Sequence, residues 1–414
     1  MLDRRFISSQ SWGANIEFPS SRELRGSPHY VGGRYPCRSV AFVPRMILQK
    51  TAEVKRDFAV LDPFMGSGTT AIEAGTLANA VYGVEVDAYA RLIATASTTP
   101  LSRQSIERLY RVLDDIEKAG AVAGDPKLRP SLANIEYWFT EQSFDELLSL
   151  KSYLFGLGLD VAEHNLLLTA FGDIIRACSK AERQSLKPYI STKYDKQIKP
   201  TIPEFQKVAR QYLNAIEKLD PTDFCAIEWL GHDATAFEAE APIDLAITSP
   251  PYINAMDYTR CIKLESAWIG TCDDASLQKT KSLQLGEASR RHQSVENWID
   301  ELCRSKFGRL LELDNARFGT AVAYFDDMAK NLSSVQQALT EDGKYYLIIG
   351  NSRLRGVEIE THRIIAEIAI MLGFDWSGYF TYKIKDHRTS IPRGDRGGKI
   401  DIEHVVELTK NKNS

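Results

Sequence analysis

A chain of 414 residues, 43% hydrophobic and 26% charged, has the composition of an ordinary globular protein. It has room for a domain of about 200 to 250 residues plus a second region. The formal net charge of -4 provides no overall attraction to nucleic acid, so a nucleic-acid partner would have to be met by a local basic face. No apolar run reaches membrane-spanning length, the opening MLDRRFISSQSWG lacks a secretion-signal core, and the six cysteines show no CxxC pair and no histidine at ligand spacing. A cytoplasmic protein with no membrane partner, disulfide framework or metal site is expected.

Residues 1–28, polar and rich in Ser, Arg and Gly, predict an irregular arm. From His29 to Val54 a loop punctuated by Gly and Pro leads into an amphipathic helix beginning near Pro44. Phe58 to Leu61 predicts a short buried strand ending in Asp62, and DPFMGSGTTAIEAGTLA follows it. Gly66 and Gly68 permit a tight strand-to-helix turn, while Thr69 and Thr70 open a helix whose free amides suit an anionic group. No Lys follows the last glycine and the spacing is not GxGxxG, which disfavours a phosphate-gripping loop. A second strand, Val81 to Val86, places Glu85 about twenty residues beyond the glycines, where nucleotide sites hold ribose hydroxyls. A surface carboxylate is the plainer alternative.

From Leu101 to Asp223 the apolar spacing becomes helical, in SIERLYRVLDDIEKAG, SFDELLSLKSYLF, EHNLLLTAFGDIIRACSKAE and PEFQKVARQYLNAIEKL. This predicts a helical insertion within an α/β domain. Its linker, Ser185 to Pro200, is basic through residues such as Lys187 and Lys193 and carries two tyrosines, a composition for contacting a phosphate backbone or for a solvated loop. The α/β pattern resumes at Phe224 to Leu230, with Asp233 just beyond, placed either to accept from an adenine amine or to cap a helix.

The apolar run Ile243, Leu245, Ala246 and Ile247 then leads into TSPPYINAMDY. Two successive prolines hold the chain extended and leave carbonyls unpaired, beside the Ser249 hydroxyl and the Tyr252 ring. Such acceptors with a stacking platform suit the exocyclic amine of a nucleobase taken out of its stack, although the tetrapeptide alone also reads as an ordinary turn. Helices are predicted through Leu339, a buried strand from Lys344 to Ser352 after a DG turn, a helix near Thr361 to Leu372, and strands around Trp376 to Lys383 and His404 to Leu408. Between the last two lies the most basic window, Lys383 to Asp401, with Arg388, Arg393 and Arg396, as a loop on phosphates or a solubilising hairpin.

Together, DPFMGSGTT, YGVEVDAYA, GHDATAF and TSPPY resemble the S-adenosylmethionine-dependent amino-methyltransferases of DNA bases. The resemblance covers the α/β core. It implies a Rossmann-like, mostly parallel sheet with an antiparallel C-terminal strand, divided into an arm (1–28), a first methyltransferase part (29–100), a helical insertion (101–223) and a second part (224–414). It further implies that Asp62, Pro63, Phe64, Gly66, Gly68, Thr69 and Thr70 surround the methionine part of S-adenosylmethionine. Glu85 would hold its ribose, Val86 would pack on its adenine, Asp233 would meet the adenine amine, and Tyr30 would belong to an N-terminal element closing over it. Ser249, Pro250, Pro251 and Tyr252 would form the catalytic tetrad, with duplex DNA as partner, the target base flipped, and a restriction or defence protein as a further partner.

Ser at the first tetrad position is associated in the family with cytosine N4 more than adenine N6. In this chain the cofactor loop precedes the tetrad, whereas many SPPY members are permuted the other way, and the large insertion leaves the target-recognition region unassigned. An RNA amino-methyltransferase and a catalytically silent cofactor-binding subunit remain alternatives. A nicotinamide oxidoreductase is disfavoured by the glycine spacing.

Overall fold

Side chains alternate across a strand, so a strand apolar at every position must be covered on both faces. The chain meets that requirement with one sheet between two layers of helices. The computed structural model describes residues 13–33, 35–36, 38–183, 185–193, 195–253, 257–287, 294–385 and 400–411. In chain order the first elements are β1 (Ala14–Ile16), α1 (Phe42–Val54), β2 (Ala59–Asp62), α2 (Thr69–Ala74), β3 (Ala80–Val84) and α3 (Ala88–Thr98). Four helices follow: α4 (Arg103–Asp114), α5 (Glu141–Gly156), α6 (Val161–Ile174) and α7 (Thr201–Ile216). Next come β4 (Ile227–Gly231), β5 (Ile243–Thr248), α8 (Tyr258–Ile269), α9 (Asp274–Leu283), α10 (Asn297–Phe307), α11 (Arg309–Leu313) and α12 (Asn315–Ala338). The chain finishes with β6 (Leu339–Gly350), β7 (Ser352–Leu354), β8 (Val357–Ile359), α13 (Thr361–Met371), β9 (Phe374–Lys383) and β10 (Ile402–Lys410).

The main sheet has the order β1-β9-β10-β6-β5-β2-β3-β4. Its central pairs are parallel, and β10 runs antiparallel to both β6 and β9. This is the mostly parallel, Rossmann-like arrangement of methyltransferases that the motifs implied. From β2 the chain moves outward through β3 and β4, then returns to the other side of β2 as β5. The switch point therefore lies between β2 and β5, where open α/β sheets bind ligands beyond the carboxyl ends of the strands. Asp62 and Thr248 are those ends.

Successive residues sort cleanly to the two faces. Val60, Val81, Leu245, Ile247, Ile348 and Val405 pack with α1 and α2. Leu61, Tyr82, Ala246, Leu347, Ile349 and Val406 pack with α10, α12 and α13. Helices α4 to α7 build a third core with α3 and α8, in which Leu109, Phe144, Phe171, Phe205 and Trp268 meet.

The buried Arg176 ties this layer together: it pairs with Glu265 at 3.2 Å, donates to the carbonyls of Ser185 and Leu186 at 2.7 and 3.0 Å, and reaches the Cys261 carbonyl on α8. Lys196 Nζ donates to the carbonyls of Arg176, Ser179 and Ala181 at 2.5, 2.8 and 2.6 Å. The basic linker is thus fastened at both its start and its later half.

Several elements differ from expectation. Part of the arm is a strand, with β1 pairing in parallel with β9 at the sheet edge, Ala14 opposite Phe380. No periodicity signals a three-residue edge strand, because its partner supplies its hydrogen bonds. The helix at Pro44 begins two residues earlier, at Phe42, leaving the proline in the first turn, where its missing N–H is harmless. The β6 strand begins at Leu339, and its register against β5 shifts between Ile243 and Leu245 around the positive φ of Asp342. The β7–β8 hairpin turns on Arg355 and Gly356, both at positive φ, a turn geometry that Asn-Gly usually announces.

Candidate active site

The glycine elbow is built by backbone conformation. Gly66 and Gly68 have φ of 53° and 87°, the left-handed region that L side chains rarely adopt, and Gly68 occupies the N-cap of α2. A Cβ on Gly68 would stand 3.0 Å from that of Ala94, so close helix packing excludes one independently of φ. The elbow is held from β3. Glu85 accepts from the Gly66 amide at 2.7 Å with one oxygen and from the Asp87 amide at 2.8 Å with the other.

Three carboxyls converge at the strand ends. Asp62 is 4% exposed and accepts from the Thr248 hydroxyl at 2.5 Å and the Phe64 amide at 3.0 Å, with Thr70 as a further donor. Burial pushes the Asp62 carboxyl up to about 6 against these hydrogen bonds. Glu85 is enclosed by protein except at the cavity wall. Its burial, reinforced by the charges of Asp87 and Asp62, outweighs the two amides and raises it to about 7. Asp87, the N-cap of α3, accepts from the Ala90 amide at 2.8 Å and is raised by burial to about 6. A cation or a ribose diol at this place would relieve that electrostatic cost.

Asp62 and Glu85 face one cavity of about 1050 Å³, its open mouth included, while Asp87 stands behind its wall. Of the residues picked out by the motifs, Asp62, Pro63, Phe64, Gly66, Thr69, Glu85, Val86, Asp233, Ser249 and Pro251 line it. The elbow and the tetrad strand therefore share a single cleft. Gly68 and Thr70 stand behind that wall, the first as cap of α2 and the second as donor to Asp62. Pro250 is buried and Tyr252 half-buried, and neither is among the lining residues. The Tyr252 hydroxyl instead donates to Glu403 on β10. Asp233 is exposed, with one carboxylate oxygen accepting from the Thr235 amide and hydroxyl at 2.8 and 2.6 Å, so the local turn and the cavity both claim it.

The N-terminal element reaches the cavity through other residues than Tyr30. That ring closes the short turn Pro28–Tyr30, is 37% exposed, and does not line the cavity, whereas Tyr35, Arg38 and Ser39 do. The reason is the Arg38 guanidinium, which gathers the carbonyls of His29, Val31 and Gly32 around itself and sets the course of the turn. The turn is anchored to α2, where Glu73 bonds His29 at 2.6 Å and Arg45 at 2.7 Å. Burial alone would raise the Glu73 carboxyl, but these two partners hold it below its usual range.

Lys187 and Lys193 are exposed on the fastened linker. Arg388, Arg393 and Arg396 lie outside the described residues. Sequence reasoning passed over His232, Tyr258 and Gln284, all on the cavity wall. His232 and Tyr258 adjoin recognised motifs. Gln284 carries no local signal, because it arrives by folding back: Lys281 pairs with Asp257 at 2.8 Å, and a Cβ on Gly286 would lie 2.9 Å from the Tyr252 carbonyl. Among the described residues no cluster of three or more His, Cys, Asp or Glu could hold a metal, and no helix is long and apolar enough to cross a membrane.

Comparison with known proteins places this geometry. Residues 9–95, which hold the N-terminal turn, the elbow and Glu85, match the family described as DNA methylase, N6_N4_Mtase. Over 363 residues the chain is 21% identical to the type II methyltransferase M.MvaI of Kocuria varians, covering 81% of this chain and 79% of that protein. Over 149 residues it is 28% identical to the type II methyltransferase M.AvaI, found in Nostoc sp. and in Anabaena variabilis. That second match covers 32% of this chain and 31% of the relative. The family match and these distant relatives support an amino-methyltransferase of the N4-cytosine/N6-adenine type, as the motifs indicated.

Proposed function

We propose that the protein transfers a methyl group from S-adenosylmethionine to the exocyclic amine of a base flipped out of duplex DNA, at cytosine N4 in preference to adenine N6. The observation that carries this reading is the single cavity lined by both Gly66 and Ser249. A methyl donor and an amine acceptor must meet within one cleft, and here the two motif sets border one. The preference for cytosine rests on Ser249 as the first tetrad residue. Residues 101–223 form an insertion between the two methyltransferase parts in this reading, with Lys187 and Lys193 on its phosphate-facing linker. A restriction partner reading the same site and a cytoplasmic location belong to the same reading, beside relatives named as type II methyltransferases.

The residues suit the donor. The left-handed glycine elbow lets backbone approach closely, Glu85 can accept from ribose hydroxyls with the lone pairs that the Gly66 and Asp87 amides leave, and Asp62 offers a buried negative charge near the methionine end. When bound, the donor supplies a methyl activated by its sulfonium, so no metal or covalent enzyme intermediate is needed. The protein's part is orientation and charge. The Ser249 hydroxyl and the Pro250 carbonyl accept from the two amine hydrogens, drawing the nitrogen lone pair out of conjugation. The same two acceptors would stabilise the positive charge that develops on the nitrogen until one proton leaves to solvent. Tyr252, which stands outside the cavity lining with its hydroxyl on Glu403, would stack on a base reaching past Ser249 and Pro251.

The test is to supply labelled S-adenosylmethionine with duplex DNA, and to identify the methylated nucleoside by mass. Label in N4-methylcytosine is expected, and Ser249→Ala should reduce transfer by about 10²-fold or more with donor binding retained. Label in RNA alone would overturn the substrate, and donor binding without transfer to either nucleic acid would favour a silent subunit.

A further inference from the structure

The group that fixes the tetrad tyrosine lies 151 residues away in sequence. The Glu403 carboxylate, 8% exposed, accepts from two phenol hydroxyls, those of Tyr252 and of Tyr382 on β9. Register explains the meeting: on β10, Glu403 stands opposite Gly350 of β6 on one side and Tyr382 of β9 on the other.

The absence of a side chain at Gly350 makes room. A Cβ there would stand 2.7 Å from the Ile400 side chain and 3.3 Å from the Tyr252 Cζ, so both pack over bare backbone where the ring reaches the carboxylate. Gly286 allows the same closeness from below, against the Tyr252 carbonyl. The far end of the bridge is fixed too, since Phe18 packs edge-on against Tyr382, with centroids 5.4 Å apart and planes at 86°. Burial, and then the charge of Glu403, hold both phenols well above their ordinary range, so each remains a donor at working pH.

We propose that Glu403 is the positioning residue of the tetrad: by accepting from the Tyr252 hydroxyl while Tyr382 braces it, it sets the plane in which the Tyr252 ring meets the extruded base. The consequence for catalysis rests on the function proposed above; the anchoring itself does not. A tyrosine held only by its backbone can swing about χ1, and misplacing a stacking platform by an ångström costs rate without costing donor affinity. A charge-assisted O–H···O⁻ bond is the strong kind of tether, and a buried carboxylate bonded twice pulls from a fixed point. The C-terminal hairpin β9–β10 thereby acts in catalysis through Tyr252, without touching substrate.

Two measurements on the full chain test this. First, 3-fluorotyrosine placed at position 252 is observed by fluorine NMR in the wild type, Glu403→Gln and Tyr382→Phe proteins, independently of any activity. The resonance should shift and broaden in Glu403→Gln and move less in Tyr382→Phe; an unchanged line in Glu403→Gln overturns the anchoring. Second, methyl transfer is measured in a double-mutant cycle. Glu403→Gln alone should lower kcat about tenfold or more with the donor Kd unchanged, and in a Tyr252→Phe background it should cost less than about twofold further. Losses that multiply instead mean that Glu403 acts apart from the hydroxyl, and the positioning role is overturned. A wild-type protein that transfers no methyl group while the fluorine line responds as expected would sink the proposed function and leave the anchoring supported.

Discussion

The Thr248 hydroxyl donates to Asp62 at 2.5 Å across the centre of the sheet, joining residues 186 positions apart. This bond spans the switch point between β2 and β5. It ties the strand that begins the glycine elbow to the strand that ends in the tetrad, so the two halves of the site share one buried carboxyl. Replacing Thr248 by Val keeps the shape and removes the donor, leaving Asp62 with a weaker set of partners. A loss of about 1 to 3 kcal/mol is expected. Denaturant unfolding checks the magnitude, and Thr248→Ser should recover most of it.

The carboxyls at about 6 and about 7 give the site a defined pH response. Asp62 and Glu85 are acids whose folded values lie above their unfolded ones, so each binds its proton more tightly when folded. Their contribution to stability is fully present below the unfolded values of 3.8 and 4.5 and is lost as pH rises through 6 to 7. Donor binding runs the other way, because a cation and ribose hydroxyls favour the ionised carboxylates. Calorimetric titration should show affinity for S-adenosylmethionine rising between pH 5.5 and 8. In Glu85→Gln both pH dependences should flatten; an unchanged profile would show that Glu85 is not the titrating group.

Glu73 holds the N-terminal turn against α2 through His29 and Arg45. Glu73→Ala releases that turn, and with it Tyr35 and Arg38 at the cavity wall. Because Arg45 can regain water, the cost in stability should be about 1 to 3 kcal/mol, less than for a fully enclosed pair. The informative readout is hydrogen exchange. Amides of residues 28–40 should lose protection while those of β2 keep theirs, and donor affinity should fall.

Lys187 and Lys193 make a prediction about salt. If the fastened linker lies along a phosphate backbone, each Lys→Ala change weakens duplex binding at every sequence equally and lowers the slope of log K against log salt by about 1. The ties through Arg176 and Lys196 do not involve these side chains, so folding should be unaffected. A salt slope that stays constant would leave Lys187 and Lys193 as solvated surface.

What the sequence determined by itself is what a short stretch of chain encodes. The left-handed positions at Gly66 and Gly68 and the paired prolines after Thr248 are local, and the structure has them where the residues imply. Tertiary structure decided which distant residues meet. Whether Tyr30 or Arg38 faces the cavity depends on which carbonyls the Arg38 guanidinium can collect. Gln284 reaches the wall only because α9 folds back onto Asp257, and β1 is a strand only because β9 offers an edge. Glu403 meets Tyr252 because the antiparallel return of β10 puts it opposite a glycine. Periodicity and turn chemistry act over a few neighbouring residues, whereas these contacts are fixed by how whole layers pack, a property of the folded chain and of no segment within it.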